Sequence, residues 1–387
     1  MATYSTTAFG DGGWGPNITP TQAGFGGLAT GPRKPQDNLK PERTKEFTGG
    51  LDLGLFKDRA DAHFTYYRDR STDVIFLAPL AVTTGYSQQA QNAATILNVG
   101  YEVSLNLRPL QTGDVTWEVG GQWATNDNQV TDLSGATFDD LPGAFAGAPG
   151  AAVLGSRVGV LRGNDFARCG ITSSVSCAAG TPTGALYIDA TGFPIQDPEI
   201  RVIMDPTPKW TGSISTSLRY RKWTVSGLLD IKHGGQIWNG TKGALHNFGT
   251  HKDTEIRGDS VVFGQSYLPG PVGGPGAGTK VQIGQAWFTG LGSGFGPVAS
   301  QFIEDGGFVK LREISVGYSL NGEWVDRLFG LSSIDIRVAG RNLKTWTKYT
   351  GIDPETNLAG AEVGLRGVDY FNNPQTRSFV FTVTLNR

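Results

Sequence analysis

Few residues in this sequence are equipped for chemistry, and most of them stand apart. There are four histidines, His63, His233, His246 and His251, and no His-Glu-x-x-His pair links any of them. Three fall in one stretch beside Asp253 and Glu255, and imidazole with carboxylate is a donor set for a transition metal. The expectation is nevertheless solvated loop residues and no metal site. Asp353-Pro354-Glu355-Thr356-Asn357 offers oxygens of the kind calcium takes, but a proline directly after an aspartate reads first as a turn. There is no Gly-x-Ser-x-Gly elbow and no Gly-Lys-Ser/Thr phosphate loop. Nothing places a nucleophile beside a base, so neither catalysis nor a cofactor is expected. Cys169 and Cys177 lie in a Gly/Ser/Ala-rich stretch. A disulfide closing a small loop is the favoured reading, with two free thiols as the alternative; two thiols with no histidine nearby are too few for a metal.

Binding is the more promising chemistry. Aromatic faces stack on sugar rings and give large contact area to peptides. Trp238 with Asn239, Trp287 with Phe288, and Trp346 are the candidates for substrate capture. The competing reading packs them loop against loop or at a membrane interface.

Composition narrows the class of protein. Formal net charge is −2, from 33 Lys+Arg against 35 Asp+Glu, so no bulk field favours nucleic acid. The longest apolar run, Val74 to Val82, contains Pro79 and falls far short of the roughly 20 residues of a spanning helix. Met1 to Thr7 has neither the basic region nor the apolar stretch of a signal peptide. Nine Trp, eleven Tyr and twenty Phe argue against disorder throughout.

The elements that must position these residues are strands. Period-two alternation recurs in nine segments: 46–55, 60–69, 99–108, 115–125, 210–221, 223–232, 308–320, 333–341 and 377–386. In 99–108, Tyr101, Val103, Leu105 and Leu107 alternate with Glu102, Ser104, Asn106 and Arg108. A soluble sandwich also alternates, but the connections discriminate. Short ones at 56–59, 109–114, 222 and 321–332 alternate with long ones at 70–98, 126–209, 233–307 and 342–376. That is the rhythm of an outer-membrane barrel, with short periplasmic turns and long extracellular loops. The expected fold is therefore all-β, an antiparallel transmembrane β-barrel. Residues 1–41 form an extracellular loop or leader segment, and 42–387 carry the strands and long loops.

The apolar faces then meet outer-membrane lipid and the polar faces line the lumen. Glu102, Arg108, Glu118, Arg219, Asp230, Arg337 and Arg341 are the expected lumen-facing charges. Tyr66, Trp117, Trp123, Trp210, Tyr220, Trp223 and Tyr318 suit interfacial girdles. Nine strands are odd in number and the first descends from outside, so the sequence reads as part of a barrel. Otherwise weaker segments such as 257–265 or 281–289 must supply further strands, since an open edge in lipid leaves backbone groups unpaired.

Several runs are familiar. Leu39-Lys-Pro-Glu-Arg-Thr-Lys-Glu-Phe-Thr-Gly-Gly-Leu-Asp-Leu, Phe64-Thr-Tyr-Tyr-Arg, Thr72-Asp-Val-Ile and Asn98-Val-Gly-Tyr-Glu-Val-Ser-Leu-Asn stand in order. So do Gly307-Phe-Val-Lys-Leu-Arg-Glu-Ile-Ser-Val-Gly-Tyr, Gly340-Arg-Asn-Leu-Lys-Thr-Trp-Thr-Lys-Tyr-Thr-Gly-Ile-Asp-Pro-Glu, and Val368-Asp-Tyr with Pro374-Gln-Thr-Arg-Ser-Phe. From about residue 39 onward the chain resembles the C-terminal part of SusC/RagA-like TonB-linked outer-membrane transporters. The resemblance implies a 22-stranded barrel that imports oligosaccharides, peptides or similar nutrients beneath a SusD-like surface lipoprotein. TonB would act through an N-terminal region these residues do not contain. It also implies long loops outside the cell and a periplasmic C-terminus. It favours a structural place for Trp346, which is part of a family motif. A stand-alone passive porin and a surface binding or adhesion protein are the alternatives.

Overall fold

The computed structural model describes residues 4–6, 28–30, 33–57, 59–86, 88–141, 150–358, 360 and 366–387. Most of the 1–41 segment expected to be an extracellular loop lies outside the described residues.

Among the described residues, nine long strands build one sheet, each paired antiparallel with the next in chain order, and the short Arg33–Lys34 adds a parallel pairing with Gln88 and Gln89. They are β1 (Arg43–Leu55), β2 (Ala60–Pro79), β3 (Gln88–Gln111), β4 (Val115–Asp132) and β5 (Trp210–Tyr220). The set continues with β6 (Trp223–His233), β7 (Phe308–Asn321), β8 (Ser333–Thr347) and β9 (Ser378–Asn386). Every expected strand is present. Several are longer than their alternation suggested, β2, β3 and β4 most of all, at 20, 24 and 18 residues. A tilted membrane strand needs only about 9–11, so their loop-side halves extend into the long connections. The pattern stops short there because the neighbours are no longer lipid on one side and water on the other.

The wall turns its apolar side chains outward. On β9, Phe379 is 75% exposed and Phe381 68%, the reverse of a water-soluble sheet. Aromatics cluster across neighbouring strands, with Trp223 and Tyr318 centroids 4.6 Å apart and Tyr66 and Tyr101 5.3 Å apart. Tyr67 lies opposite Gly100, where a Cβ would fall 2.2 Å from its ring; only glycine leaves that ring its place.

The short connections are compact. Arg221 takes a left-handed conformation, φ 52°, between the paired Tyr220 and Trp223, so the turn comprises Arg221 and Lys222 rather than Lys222 alone. The β7–β8 connection carries a helix, Glu323–Phe329, closed by Gly330 at φ 64°.

The long connections fold against one another. A four-stranded sheet joins Arg201–Met204, Val160–Gly163, Gly150–Val153 and Phe138–Asp140. Gln236–Asn239 pairs with Ile303–Asp305 and with Val368–Asp369, linking two long connections. Leu186–Tyr187 pairs in parallel with Val272–Gly273, linking a third. Segments 257–265 and 281–289 do not join the wall: Ser260–Gly264 pairs with Lys280–Gln282 inside the loop body. One apolar core there combines Phe166, Leu186 and Ile188 with Phe263, Trp287 and Phe288. A second combines Leu161, Met204, Trp238, Phe302 and Val368.

Candidate functional site: the polar face of the wall and the loop body above it

Strand register fixes which side chains share a face. Thr65, Glu102, Ala124, Thr211 and Lys232 form one cross-strand row. His63, Ser104, Gln122, Ser213 and Asp230 form the next. Between them lies a hollow of about 490 Å³ lined by His63, Thr65, Glu102, Ser104, Gln122 and Asp230. A second hollow of about 440 Å³, on the same face, is lined by Arg108, Glu118, Ser217, Ser226 and Glu313. Period-two pleating puts all seven charges expected at the lumen on this face. Arg219 donates to Thr116 Oγ1 at 3.2 Å. Arg108 is 3.5 Å from Asp61 and 3.6 Å from Glu118. Arg337 Nε donates to Ser315 Oγ at 3.1 Å, and Arg341 Nε to Glu313 at 2.9 Å.

A bulge adds charge at one point of this face. The register slips by one residue at Leu311 to Glu313. Strict alternation would send one of Lys310, Arg312 and Glu313 to the apolar side; the extra residue keeps all three on the polar side. Arg312 donates to Asp230 Oδ2 at 2.5 Å through Nη2 and 3.0 Å through Nε. The same guanidinium reaches Glu355 Oε1 at 2.5 Å and Oε2 at 2.7 Å. Lys310 Nζ donates to Asp353 at 2.7 Å and also to Glu355. Asp353 accepts the amides of Glu355 and Gln375 at 3.0 and 3.1 Å. The Asp353 and Glu355 carboxylates within the segment read as a calcium alternative are thus committed to lysine, arginine and backbone amides, and the segment is a turn clamped to the wall. Burial works against ionisation of Glu355, but Arg312 and Lys310 more than offset it and hold its carboxyl below the usual range. Lys310 and two backbone amides do the same for Asp353 against the same opposing burial.

The aromatic candidates for capture need correction. Trp238, Asn239, Trp287 and Phe288 are all buried. Trp238 Nε1 donates to the Ala299 carbonyl at 3.1 Å inside one loop core. Asn239 Oδ1 accepts the Lys242 amide at 2.9 Å and caps helix α1, Gly240–Asn247. Trp287 and Phe288 sit on helix α2, Gln285–Thr289, in the other core. No ring face of these residues is open to a ligand. The physical reason is that a long loop with several large aromatics buries them to gain stability. Trp346 is 50% exposed, but its neighbour Thr345 pairs with Lys310 of the polar face. Alternation therefore turns the Trp346 ring to the apolar face.

Cys169 and Cys177 form a disulfide. His246, His251 and Asp253 converge, with one donor atom from each lying within 4.8 Å of the others. His233 instead stacks on Trp210 at 5.2 Å on the wall, and Glu255 takes no part in the cluster. Sequence spacing could have flagged the trio only by knowing where α1 ends, since the capping turn folds His251 back onto His246.

Comparison with known proteins gives a consistent picture. The model of the family described as TonB dependent receptor-like, beta-barrel matches residues 2–343. TonB-dependent receptor P3 of Formosa agariphila is 29% identical over 372 residues, covering 90% of this chain and 34% of that protein. TonB-dependent receptor SusC of Bacteroides thetaiotaomicron is 21% identical over 361 residues, covering 92% of this chain and 33% of that protein. The solved structure of the RagAB peptide importer in its 'open-open' state shares the fold over 100% of this chain and 38% of that chain, with TM-score 0.66 at 18% identity. The chain spans about a third of the length of the curated relatives it matches.

Proposed function

The chain belongs to the TonB dependent receptor-like β-barrel family, and on that premise we propose that it forms part of the pore wall and outer loops of an outer-membrane nutrient importer. The observation that carries this reading is the division of the wall. One face presents exposed phenylalanine, leucine and valine; the other presents continuous rows of hydroxyls, amides and paired charges. A lipid-embedded wall with an aqueous interior requires that division.

In this reading Glu102, Arg108, Glu118, Arg219, Asp230, Arg337 and Arg341 line the import path and set its electrostatics. Hydroxyl and amide rows beside charges of both signs suit an oligosaccharide or a peptide. The structural neighbour named as a peptide importer supports the second class. Residues 42–387 supply the wall, with the connections 70–98, 126–209, 233–307 and 342–376 and the 1–41 segment outside the cell and the C-terminus in the periplasm. A SusD-like surface lipoprotein is the proposed lid, and TonB the energy source acting through another part of the full protein.

The test is uptake by the source bacterium on a panel of oligosaccharides and peptides. Disrupting the gene should abolish uptake of one class, and losing TonB should do the same. Replacing Glu102 and Asp230 together by lysine should alter that uptake several-fold at unchanged surface level. Uptake of the whole panel unaffected by disruption would sink the proposal. Ion conductance without any partner would favour a passive pore.

A further inference from the structure

We propose that His246, His251 and Asp253 form a binding site for a first-row transition-metal dication, with zinc the model ligand. Their donor atoms come from two adjoining elements. His246 lies in the last turn of α1. His251 caps the 3₁₀ turn Lys252–Ile256, in which Asp253 occupies the first turn. One donor atom from each residue falls within 4.8 Å of the other two. Tetrahedral zinc at about 2.0–2.1 Å needs ligand separations of about 3.3 Å, so a small side-chain closure completes the set.

The strongest observation is His246 itself. It is only 5% exposed, and among the described residues neither ring nitrogen has a hydrogen-bond partner. A buried imidazole without a partner calls for an explanation. Its Nε2 lies 3.4 Å from Asp253 Oδ2, close but without hydrogen-bond geometry. Phe288 and Phe302 meet its ring edge-on, with centroids 5.9 and 5.3 Å away, so the apolar side of the site fixes the ring and keeps water away.

The other two ligands are within reach. His251 Nδ1 accepts the Asp253 amide at 3.1 Å; a cation drawing on that lone pair takes the amide's place. Asp253 Oδ2 is 3.2 Å from Lys242 Nζ, which also lies 3.6 Å from Glu304. Lys242 therefore competes with the metal for Asp253 and has a second carboxylate to move to. Two imidazoles and one carboxylate select zinc and its first-row neighbours over calcium or magnesium, which take oxygen cages. Three protein ligands leave a fourth position for water or another donor.

The lysine gives the test its sign. The full protein is purified in detergent, stripped with chelator and titrated with Co2+, then with Zn2+ in competition. Expected are the visible bands of tetrahedral Co2+, displaced by Zn2+. Affinity should fall at least tenfold in His251→Ala and in Asp253→Asn, and rise several-fold in Lys242→Gln. A purely structural role predicts no band and no gain on removing the lysine. Absence of a saturable band in the wild type, or affinity unmoved by all three substitutions, overturns the proposal. Lys242→Gln leaves all three ligands in place, so a folding failure in one ligand variant does not remove the test.

Discussion

At the scale of single residues, the charges on Lys310 and Arg312 are the clearest lesson. Lys310 is 3% exposed, and its ammonium is shared between Asp353 and Glu355. Breaking such a network leaves a buried charge underpaired, which costs more than the pair itself contributes. Glu355→Gln should therefore destabilise the 342–376 connection by about 2 kcal/mol and expose it to protease before the wall unfolds. Equal protease resistance in mutant and parent would refute the clamp. The carboxyls also predict a pH response. Both Asp353 and Glu355 are held below their usual values, so their contribution is complete above about pH 4–5. It is lost as pH falls through the depressed folded values. Protease release of this connection should appear only in acid below that range, and release beginning near neutrality would contradict the assignment. The charged residue types here were legible in the sequence, but their pairing was not. Asp230 and Arg312 are 82 positions apart, and a bulge decides which face Arg312 takes.

At the scale of the element, each wall strand is a two-sided object. Ile214 and Ser213 are neighbours on β5, yet Ile214 pairs with Leu229 and Ser213 with Asp230. An arginine at 214 enters lipid near mid-strand, at a cost of about 2–4 kcal/mol. The same arginine at 213 enters the polar face beside Asp230. Ile214→Arg should lower the folded fraction in detergent, read as loss of the heat-modifiable band on a gel, while Ser213→Arg should leave it nearly unchanged. Equal behaviour of the two variants would mean that the faces are assigned wrongly. Alternation revealed all nine strands because each backbone pleat sends successive side chains to opposite media. It failed at strand ends, as in β3, where Gln88 to Asn98 pair above the alternating stretch.

At the scale of the whole molecule, the long connections make one body and not a set of separate fingers. Trp238 packs with Leu161, Met204, Phe302 and Val368, which come from three different connections. Trp238→Ala removes the largest side chain at that junction and should cost about 3–5 kcal/mol. All three connections should then become sensitive to protease together, with the wall strands still protected. Cleavage confined to the connection that carries Trp238 would show that the loops do not share a core.

The sequence by itself determined the strands, their order, the two media they separate and the family. Those properties depend on local periodicity and on neighbouring segments, which one chain displays directly. Tertiary structure decided what the long connections do. Whether Trp238 meets a ligand or a methionine, whether Asp353 meets a cation in solution or Lys310, and whether His246 meets His251 are questions of contacts between distant or reversed segments. Residue type and spacing constrain such contacts weakly, because chain closure over long loops costs little more than closure over short ones. Packing among the loops, not periodicity along them, selected the outcome.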